Sequence, residues 1–431
     1  MPTPTTGQIL LGRAALAVPL IALLAGLLAP RGSAATYFAI AALPIAAMLL
    51  FDGIGSLRDG PLTALGAALL IFGIYIAANA GWSADRAEAF GKVLFYWIVL
   101  LVGMAAVRGM TRFDDRSLGR IGNGLVIGFV VGSLYLLFEV ASDQWLKRTI
   151  ISLIPVLRPA PKHIVVTDGT VTAVADYALN RNFAILVLVL WPVLLLVRDR
   201  LEGALSWIAG AALLGVSAAG VFMSAHETSM LALLFSSATF AGMALAPRLV
   251  RPLIVAGWVA ATLLVVPIAL AAYAQGLHQA KWIPETGRNR IILWNVTAEK
   301  VREAPLLGTG VASTKALDEE DAPKAKTLPG HTYPQKTGRH AHNVFLQTWY
   351  ELGGIGAVLL LLTGVLALRL ARRLPASLEP YAVASFVAAT LIGASSWGMW
   401  QTWFMAAFGI SAVTLALAIA SARRTSSLIP R

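Results

Sequence analysis

Long runs of apolar residues recur along nearly the whole chain and restrict it to folds that can lie within lipid. Hydrophobic residues make up 58% of the 431 residues and charged residues only 13%, and the mean hydropathy is +0.73. A soluble protein has about a quarter of its residues charged. The sequence therefore predicts an all-α integral membrane protein.

Apolar runs of about 20 residues, the length that crosses a bilayer, occur about twelve times. We expect membrane-spanning helices at 10–29, 34–51, 61–79, 93–107, 121–141, 183–197, 205–224, 228–246, 253–272, 344–368, 380–397 and 404–422. Arginines cluster in alternate connections, at Arg108, Arg112, Arg116, Arg120, Arg198, Arg200, Arg248, Arg251, Arg369, Arg372, Arg373, Arg423, Arg424 and Arg431. The bias of basic residues toward the inner side makes that side cytoplasmic, together with both ends of the chain.

Two long polar segments on the opposite, outward side divide the chain into five parts. The predicted parts are a scaffold of five spans (1–141), a first outward segment (142–182), four core spans (183–272), a large outward segment (273–343), and three final spans with a cytoplasmic tail (344–431). Both outward segments are net positive, in a chain whose net charge is +12. An anionic ligand and a basic surface near anionic headgroups explain this equally well.

Local patterns predict a few elements within the outward segments. Residues 150–157 predict a short interfacial helix, with irregular chain after it because of three nearby prolines. Residues 289–303 have apolar side chains at helical spacing and predict an amphipathic helix, and residues 318–338 predict a mobile flap or surface loop. The acidic run at 318–321 indicates a solvated face rather than a metal site. The chain has no cysteine, which excludes thiol chemistry.

His342 is the strongest candidate for a catalytic residue. It lies near the end of the large outward segment, two residues after His340 and three after Arg339, and Asn343 is suited to cap the next helix. The positive end of a helix disfavours a protonated imidazole and attracts phosphate, so one position could hold both a general base and a diphosphate. The alternative is an interfacial histidine that only hydrogen-bonds to water or backbone.

Several other polar residues lie beside the predicted spans. Arg288 and Arg290 begin the amphipathic helix, where a guanidinium suits phosphate oxygens, and Trp294 shares a helical face with Arg290. Snorkelling toward headgroups would explain both arginines as well. Glu351 lies inside an apolar span, where a carboxylate needs a partner. The glycines that follow it favour close helix approach. The further candidates are Asn180, Arg181, His226 and Glu351.

Together these residues resemble the O-antigen ligase and polymerase superfamily. The matching motifs, in order, are Arg290 with Trp294, residues 305–310 (Pro-Leu-Leu-Gly-Thr-Gly), His342-Asn343, and residues 351–356 (Glu-Leu-Gly-Gly-Ile-Gly). Residues 180–184 also look like the family's entrance to its core region, and the resemblance covers about 176–420. One departure is that His226-Glu227 stands where members often have Ser-Arg. The resemblance then implies that Arg181 or Arg288 substitutes for the missing arginine.

The resemblance implies an activity, two substrates and a location. Such enzymes act on undecaprenyl-diphosphate-linked glycans at the periplasmic face of the bacterial inner membrane. Here His342 would deprotonate an acceptor hydroxyl while arginines (Arg288, Arg290, Arg181, Arg339) hold the leaving diphosphate, in an inverting transfer that needs no metal or other cofactor. The expected partners are the lipid-linked O-antigen donor, the lipid A–core acceptor and membrane lipids, but no nucleic acid. The chain could act as a monomer.

Four alternatives stay open at this stage. An O-antigen polymerase shares the same architecture, although its usual pair of similar basic outward loops is not evident here. A protein O-oligosaccharyltransferase would be expected to carry a large soluble C-terminal addition. A twelve-span transporter would be expected to have two similar halves and polar residues near the midplane. A scaffold without chemistry would not explain the ordered basic segment before 344.

Overall fold

Helices dominate the structure, a computed structural model that describes residues 6–52, 62–329 and 333–428. The described residues form sixteen α-helices: α1 Thr6–Leu28, α2 Ser33–Asp52, α3 Ala64–Asn79, α4 Arg86–Gly109, α5 Asp115–Ala141, α6 Trp145–Leu153, α7 Asn180–Arg200, α8 Gly203–Met223, α9 Glu227–Leu245, α10 Pro247–Leu263, α11 Val265–Ala274, α12 Glu285–Lys300, α13 Thr314–Asp321, α14 Val344–Ala371, α15 Glu379–Ser395 and α16 Thr402–Leu428. The predicted all-α integral membrane fold is thereby confirmed.

Every predicted span coincides with a helix or, in one case, with a bent pair. The span predicted at 253–272 is divided between α10 and α11, which are bent by 70° at the break. Within the described ranges, nine helices are long and apolar enough to cross a membrane, or ten if the bent pair is one span. The number of twelve spans therefore stays a prediction, and residues 61 and 429–431 lie outside the described residues.

Helix α7 is the central helix of the bundle. Its run from Asn182 to Val197 is buried on every side, and α5, α8, α15 and α16 pack against it. A helix that is apolar all round must be covered all round, which explains why this sequence lies at the centre. Asn180 and Arg181 are consequently held at its N-terminal end, next to the site described below.

Arginine side chains join helices at the end of the bundle away from Arg181. Arg120 donates to the carbonyl oxygen of Gly12 at 2.9 Å, and Arg200 donates to Ser421 Oγ at 2.7 Å. These contacts bring arginines from different connections to one end, as alternating spans require. The membrane side that this end faces stays a prediction.

The first outward segment is more ordered than the sequence predicted. The helix α6 begins five residues before the predicted 150–157 helix and ends at Leu153. The chain beyond it, predicted to be irregular, contains an antiparallel hairpin of β1 (Ile164–Thr167) and β2 (Thr170–Val174). Asp168 and Gly169 both have positive φ at its turn. The Asp-Gly pair between β-branched residues is a hairpin signal that the prediction overlooked.

The second outward segment contains the predicted amphipathic helix and one further helix. The helix α12 begins at Glu285 and α-helical geometry ends at Lys300, with a single 3₁₀ turn over 301–303. The flap predicted at 318–338 is wrong at its start, because 318–321 belong to α13. Residues 330–332 of that flap lie outside the described residues.

Helix α14 is broken at Gly353, whose φ of 64° and ψ of −165° suit only glycine. Residues 305–310 pack into the break, where the Gly310 N–H donates to the carbonyl oxygen of Glu351 at 2.9 Å. A Cβ at Gly353 would lie 2.4 Å from the carbonyl carbon of Leu306. Gly353 therefore makes room for a loop's backbone, whereas its place after Glu351 had predicted close packing of helices.

Replacing Gly353 with alanine should destabilise the fold, because the new Cβ adds both backbone strain and a clash with the 305–310 loop. We expect Gly353→Ala to lower the free energy of unfolding by roughly 3 kcal/mol or more, measured by titration with a denaturing detergent. Gly215→Ala is the matched control, since nothing lies within 4 Å of its Cβ position. Equal effects of the two substitutions would contradict the role given to the break.

Candidate active site

The candidate active site is built on a short turn that leads into α14. Trp294 of α12 donates through Nε1 to the carbonyl oxygen of Ala341 at 2.8 Å. Asn343 Oδ1 accepts from the Leu346 N–H at 3.1 Å, which confirms the predicted cap of the helix. Between these contacts His342 has a φ of 53°, a conformation that residues with side chains rarely adopt.

His342 has one ring nitrogen bound and the other available to a substrate. Its Nδ1 contacts the carbonyl oxygen of Ser396, and because a carbonyl oxygen can only accept, Nδ1 carries the proton. The lone pair of the neutral ring is then on Nε2. Burial lowers the pKa of His342, and together with the positive charge of Arg290 it outweighs the opposing hydrogen bond to Ser396. The ring is thus neutral near pH 7 and able to accept a proton.

His340 lies against His342, with ring centroids 4.1 Å apart. Burial, the neighbouring His342 and nearby arginines including Arg181 lower the pKa of His340 to about 3. Its Nδ1 is buried and has no hydrogen-bond partner among the described residues. The structure therefore brings together both predicted histidines, in neutral form.

Arg290 lies within electrostatic range of three groups of the site. Its charge lowers the pKa of both His226 and His342, and the negative charge of Glu227 acts on Arg290 itself. Burial is the main influence on the Arg290 guanidinium and lowers its pKa, although arginine stays charged in proteins. A half-buried cation with one nearby carboxylate is suited to bind an anionic group.

Arg181 and Arg288 each have an unused donor at this end of the bundle. The Arg181 guanidinium lies 5.3 Å from the ring centroid of Trp403, a cation–π contact. The Nε atoms of Arg181 and Arg288 are buried without a hydrogen-bond partner within the described residues, and so is Asn180 Oδ1. A buried unpaired donor costs about 1–3 kcal/mol, so an anionic ligand that accepted from these Nε atoms would be stabilised.

His226 belongs to the His226-Glu227 pair, which stands where the resemblance led us to expect Ser-Arg. Its Nδ1 lies 2.6 Å from Ser229 Oγ, and its ring centroid is 5.1 Å from that of Trp397. Burial and the charge of Arg290 lower the pKa of His226 to about 3. A neutral histidine cannot replace an arginine's charge, so the substitution by Arg181 or Arg288 stays a prediction.

Glu351 joins three separate parts of the chain at the break in α14. Its carboxylate accepts from the backbone N–H groups of Ala312 and Thr314, both at 3.2 Å, and from Gln347 Nε2 at 3.2 Å. The Thr314 hydroxyl and Trp400 Nε1 also donate to it. These five donors are the partners of Glu351, which could not be named from the sequence. Glu351 therefore holds the site's framework together.

A cavity of about 300 Å³ opens beside these residues. Arg339, which is exposed, and His340 line it, and Glu351 and Trp400 form part of its wall. His342 does not line this cavity, whereas His340 both lines it and contacts His342.

The acidic run at 318–321 is engaged with lysines. Asp318 is buried and pairs with Lys336 at 2.9 Å, and Asp321 pairs with Lys300. No group of three histidine or carboxylate side chains is arranged to hold a metal ion in the described parts of the chain.

Sequence reasoning missed the partners that come from the connection between α15 and α16. Ser396 orients His342 through its carbonyl oxygen, and Trp400 donates to Glu351. A backbone carbonyl leaves no mark in a sequence, so Ser396 could not have been found. Trp400 and Gln401 could have been noticed as polar-tipped residues between two spans.

Comparisons with known proteins agree with these motifs. Residues 211–361, which contain Arg290, His342 and Glu351, match the family described as O-antigen ligase. A candidate polysaccharide ligase of Rickettsia felis is 23% identical over 317 residues, or 72% of this chain and 69% of that protein. Candidate polysaccharide ligases of Rickettsia conorii and Rickettsia prowazekii are 30% and 29% identical over 118 residues, 27% of this chain. The matches span 28% and 29% of those two proteins.

The fold and site define a multi-pass α-helical membrane protein with a half-buried histidine–arginine centre. By the matches above, the chain is similar to the O-antigen ligase superfamily, most directly over residues 211–361.

Removing the Glu351 carboxylate should loosen the loops around the site. We expect Glu351→Ala to lower the free energy of unfolding by roughly 3–5 kcal/mol, because it leaves buried N–H donors unpaired. The thermal unfolding midpoint in detergent measures this, with Glu320→Ala, an exposed acid of α13, as control. An unchanged midpoint in Glu351→Ala would contradict the joining role.

Acid should destabilise the protein through its buried neutral histidines. The folded pKa of His226 is about 3 and the unfolded value is about 6.5, so below pH 6.5 only the unfolded state binds the proton. Stability from His226 is complete above pH 6.5 and is lost as the pH falls toward 3, by up to about 1.4 kcal/mol per pH unit. His226→Gln should flatten the decline of the unfolding midpoint between pH 6.5 and 5. An equally steep decline in both proteins would refute this.

Proposed function

We propose that this protein is a glycosyltransferase of the polysaccharide ligase type that transfers O-antigen from undecaprenyl diphosphate onto lipid A–core oligosaccharide. The observation that carries the proposal is a neutral His342 whose Nε2 is unprotonated, at a site with half-buried arginines, of which Arg181 and Arg288 have an unpaired Nε. That arrangement supplies a base for an acceptor hydroxyl and cations for a diphosphate leaving group.

His342 acts as the general base in this proposal. The acceptor hydroxyl attacks the anomeric carbon of the donor sugar from the face opposite the diphosphate, which inverts that carbon. Nε2 takes the hydroxyl proton as the new carbon–oxygen bond forms. The Ser396 carbonyl, by accepting from Nδ1, keeps the ring oriented and stabilises the imidazolium that results.

Arg290, Arg288 and Arg181 stabilise the departing diphosphate. The bond from the anomeric carbon to the phosphate oxygen breaks, and its electron pair stays on the carrier's diphosphate, which gains negative charge. Guanidinium donors fixed in a buried site stabilise that charge more strongly than water does, since they need little reorganisation. The proposed step needs only these residues, and metal independence is part of the proposal.

The proposal places this site at the periplasmic face of the inner membrane. It relies on the arginine-rich far end of the bundle being cytoplasmic, from the bias of basic residues in short connections. The site then lies at the outward end, where a carrier diphosphate would sit among headgroups.

His342→Ala should abolish ligation while the protein still folds, because loss of a general base typically costs 10²- to 10⁴-fold in rate. The measurement is the lipopolysaccharide ladder of a ligase-null Gram-negative strain with a matching core, with expression checked by immunoblot. His163→Ala, a histidine of the first outward segment, is the matched control. Full ligation by His342→Ala would contradict the assignment of His342 as the general base. Restoration of chain length in a polymerase-null strain instead would identify the polymerase.

A further inference from the structure

The 300 Å³ cavity beside His340 carries an excess of positive charge that the proposed transfer does not use. Lys92 of α4, Lys315 of α13 and Arg339 line it together with one peripheral carboxylate, Glu88. Glu88 is shared between the two lysines, at 3.7 Å from Lys92 Nζ and 3.8 Å from Lys315 Nζ. Both separations exceed those of good charge-assisted hydrogen bonds, so the ammonium groups keep donors for a ligand.

The second carboxylate in the wall does not cancel this charge for a ligand. Glu351 is fully buried, and its two oxygens already accept from five donors. It therefore has little capacity to interact with a molecule in the cavity. The cavity presents three cationic side chains against the one partly satisfied carboxylate of Glu88.

The neutral part of the lining suits a sugar. Trp400 donates its Nε1 hydrogen to Glu351 and, although only 5% exposed, forms part of the cavity wall. Gln401 Oε1 accepts from Trp403 Nε1 at 2.7 Å, which leaves the Gln401 NH₂ group to donate to a hydroxyl. An aromatic ring beside amide and ammonium donors is a combination that binds a polar ring bearing a negative group.

The cavity is distinct from the arginines assigned to the diphosphate. Arg181, Arg288 and Arg290 are not among its lining residues. Arg339, which the resemblance had also assigned to the diphosphate, lines this cavity instead, and so does His340. The His340 ring also lies against His342, the proposed base, at 4.1 Å between centroids. A sugar in the cavity would thus lie next to the base, while the diphosphate occupies a different place. His340 Nδ1, buried and unpartnered, adds a polar atom at this boundary.

We propose that this cavity is an acceptor subsite that binds a negatively charged sugar, bearing a phosphate or a carboxylate, of the acceptor glycan. The proposal rests on the proposed function and adds to it the chemical class that the acceptor must contain. Lys92, Lys315 and Arg339 bind the anionic group, and Trp400 contacts the ring. Glu88 competes with the ligand for the two lysines.

Because Glu88 competes with the ligand for the lysines, substitutions of Glu88 and of the lysines should change the acceptor KM in opposite directions. We expect Lys92→Met and Lys315→Met each to raise the KM for a charged acceptor about tenfold with little change in kcat, because a charge-assisted contact is lost. Glu88→Gln should lower that KM about twofold to fivefold, since the lysines are released to the ligand. Lys92→Arg and Lys315→Arg should keep most of the affinity, and Lys162→Met, an exposed lysine of the first outward segment, should change nothing.

The experiment uses the full chain in nanodiscs with lipid-linked donor and three acceptors. These are intact lipid A–core, the same material treated with phosphatase, and the same material with its carboxylates reduced. A rise in KM after phosphatase identifies a phosphate, and a rise after carboxyl reduction identifies a carboxylate; either result supports the subsite. Equal KM values for all three acceptors, or a Glu88→Gln variant that weakens binding as the lysine variants do, would overturn it.

Direct binding separates failure of the subsite from failure of the proposed function. If wild type transfers to none of these acceptors, the proposed function fails. Binding of core oligosaccharide to wild type, Lys92→Met and Glu88→Gln is then measured by equilibrium dialysis. Weaker binding in the lysine variant and stronger binding in Glu88→Gln would still support an anion subsite, and identical binding would refute it. Thermal midpoints of all variants identify any loss of fold.

Discussion

The hydrogen bonding of one buried carboxylate, Glu351, is the interaction on which the rest of the site depends. It can exist only because α14 is broken two residues later at Gly353, which lets the 305–310 loop pack against the helix. The backbone carbonyl of Glu351 binds that loop through the Gly310 N–H, and its carboxylate joins Ala312, the start of α13 and the segment before α16. Through the same segment, which also holds Ser396, the orientation of His342 depends on this junction.

Burial has different consequences for the charge of the histidines and of the arginines at the site. It keeps the histidines neutral, because a protonated imidazole loses its hydration there. It leaves the arginines charged, because a guanidinium does not lose its proton in proteins. Histidines and arginines in one partly buried site therefore supply a proton acceptor next to permanent cations, and no further group is needed to set either charge state.

The sequence predicted the helices, their order and the histidine–arginine cluster, because apolar length and motif spacing are properties of the chain itself. It did not predict the hairpin after α6, because the prolines near that segment favoured irregular chain and the Asp-Gly turn signal was not used. It misread Gly353, because a helix break and a helix contact both call for a small residue. The cavity beside His340 was also missed, since Lys92, Lys315 and Gln401 are far apart in sequence. Only the packing of α4, α13 and the α15–α16 connection brings them together.

The complete burial of α7 also sets a distance. Arg181 and Arg200 stand near its two ends, and nineteen helical steps of about 1.5 Å separate them by roughly 28 Å. That length is close to the ~30 Å thickness of the hydrocarbon layer. Because α7 is held on all sides, it acts as a rigid spacer between the two interfaces. The depth of Arg181 in the bilayer then follows lipid thickness, so a thicker membrane would draw this guanidinium away from the headgroup plane.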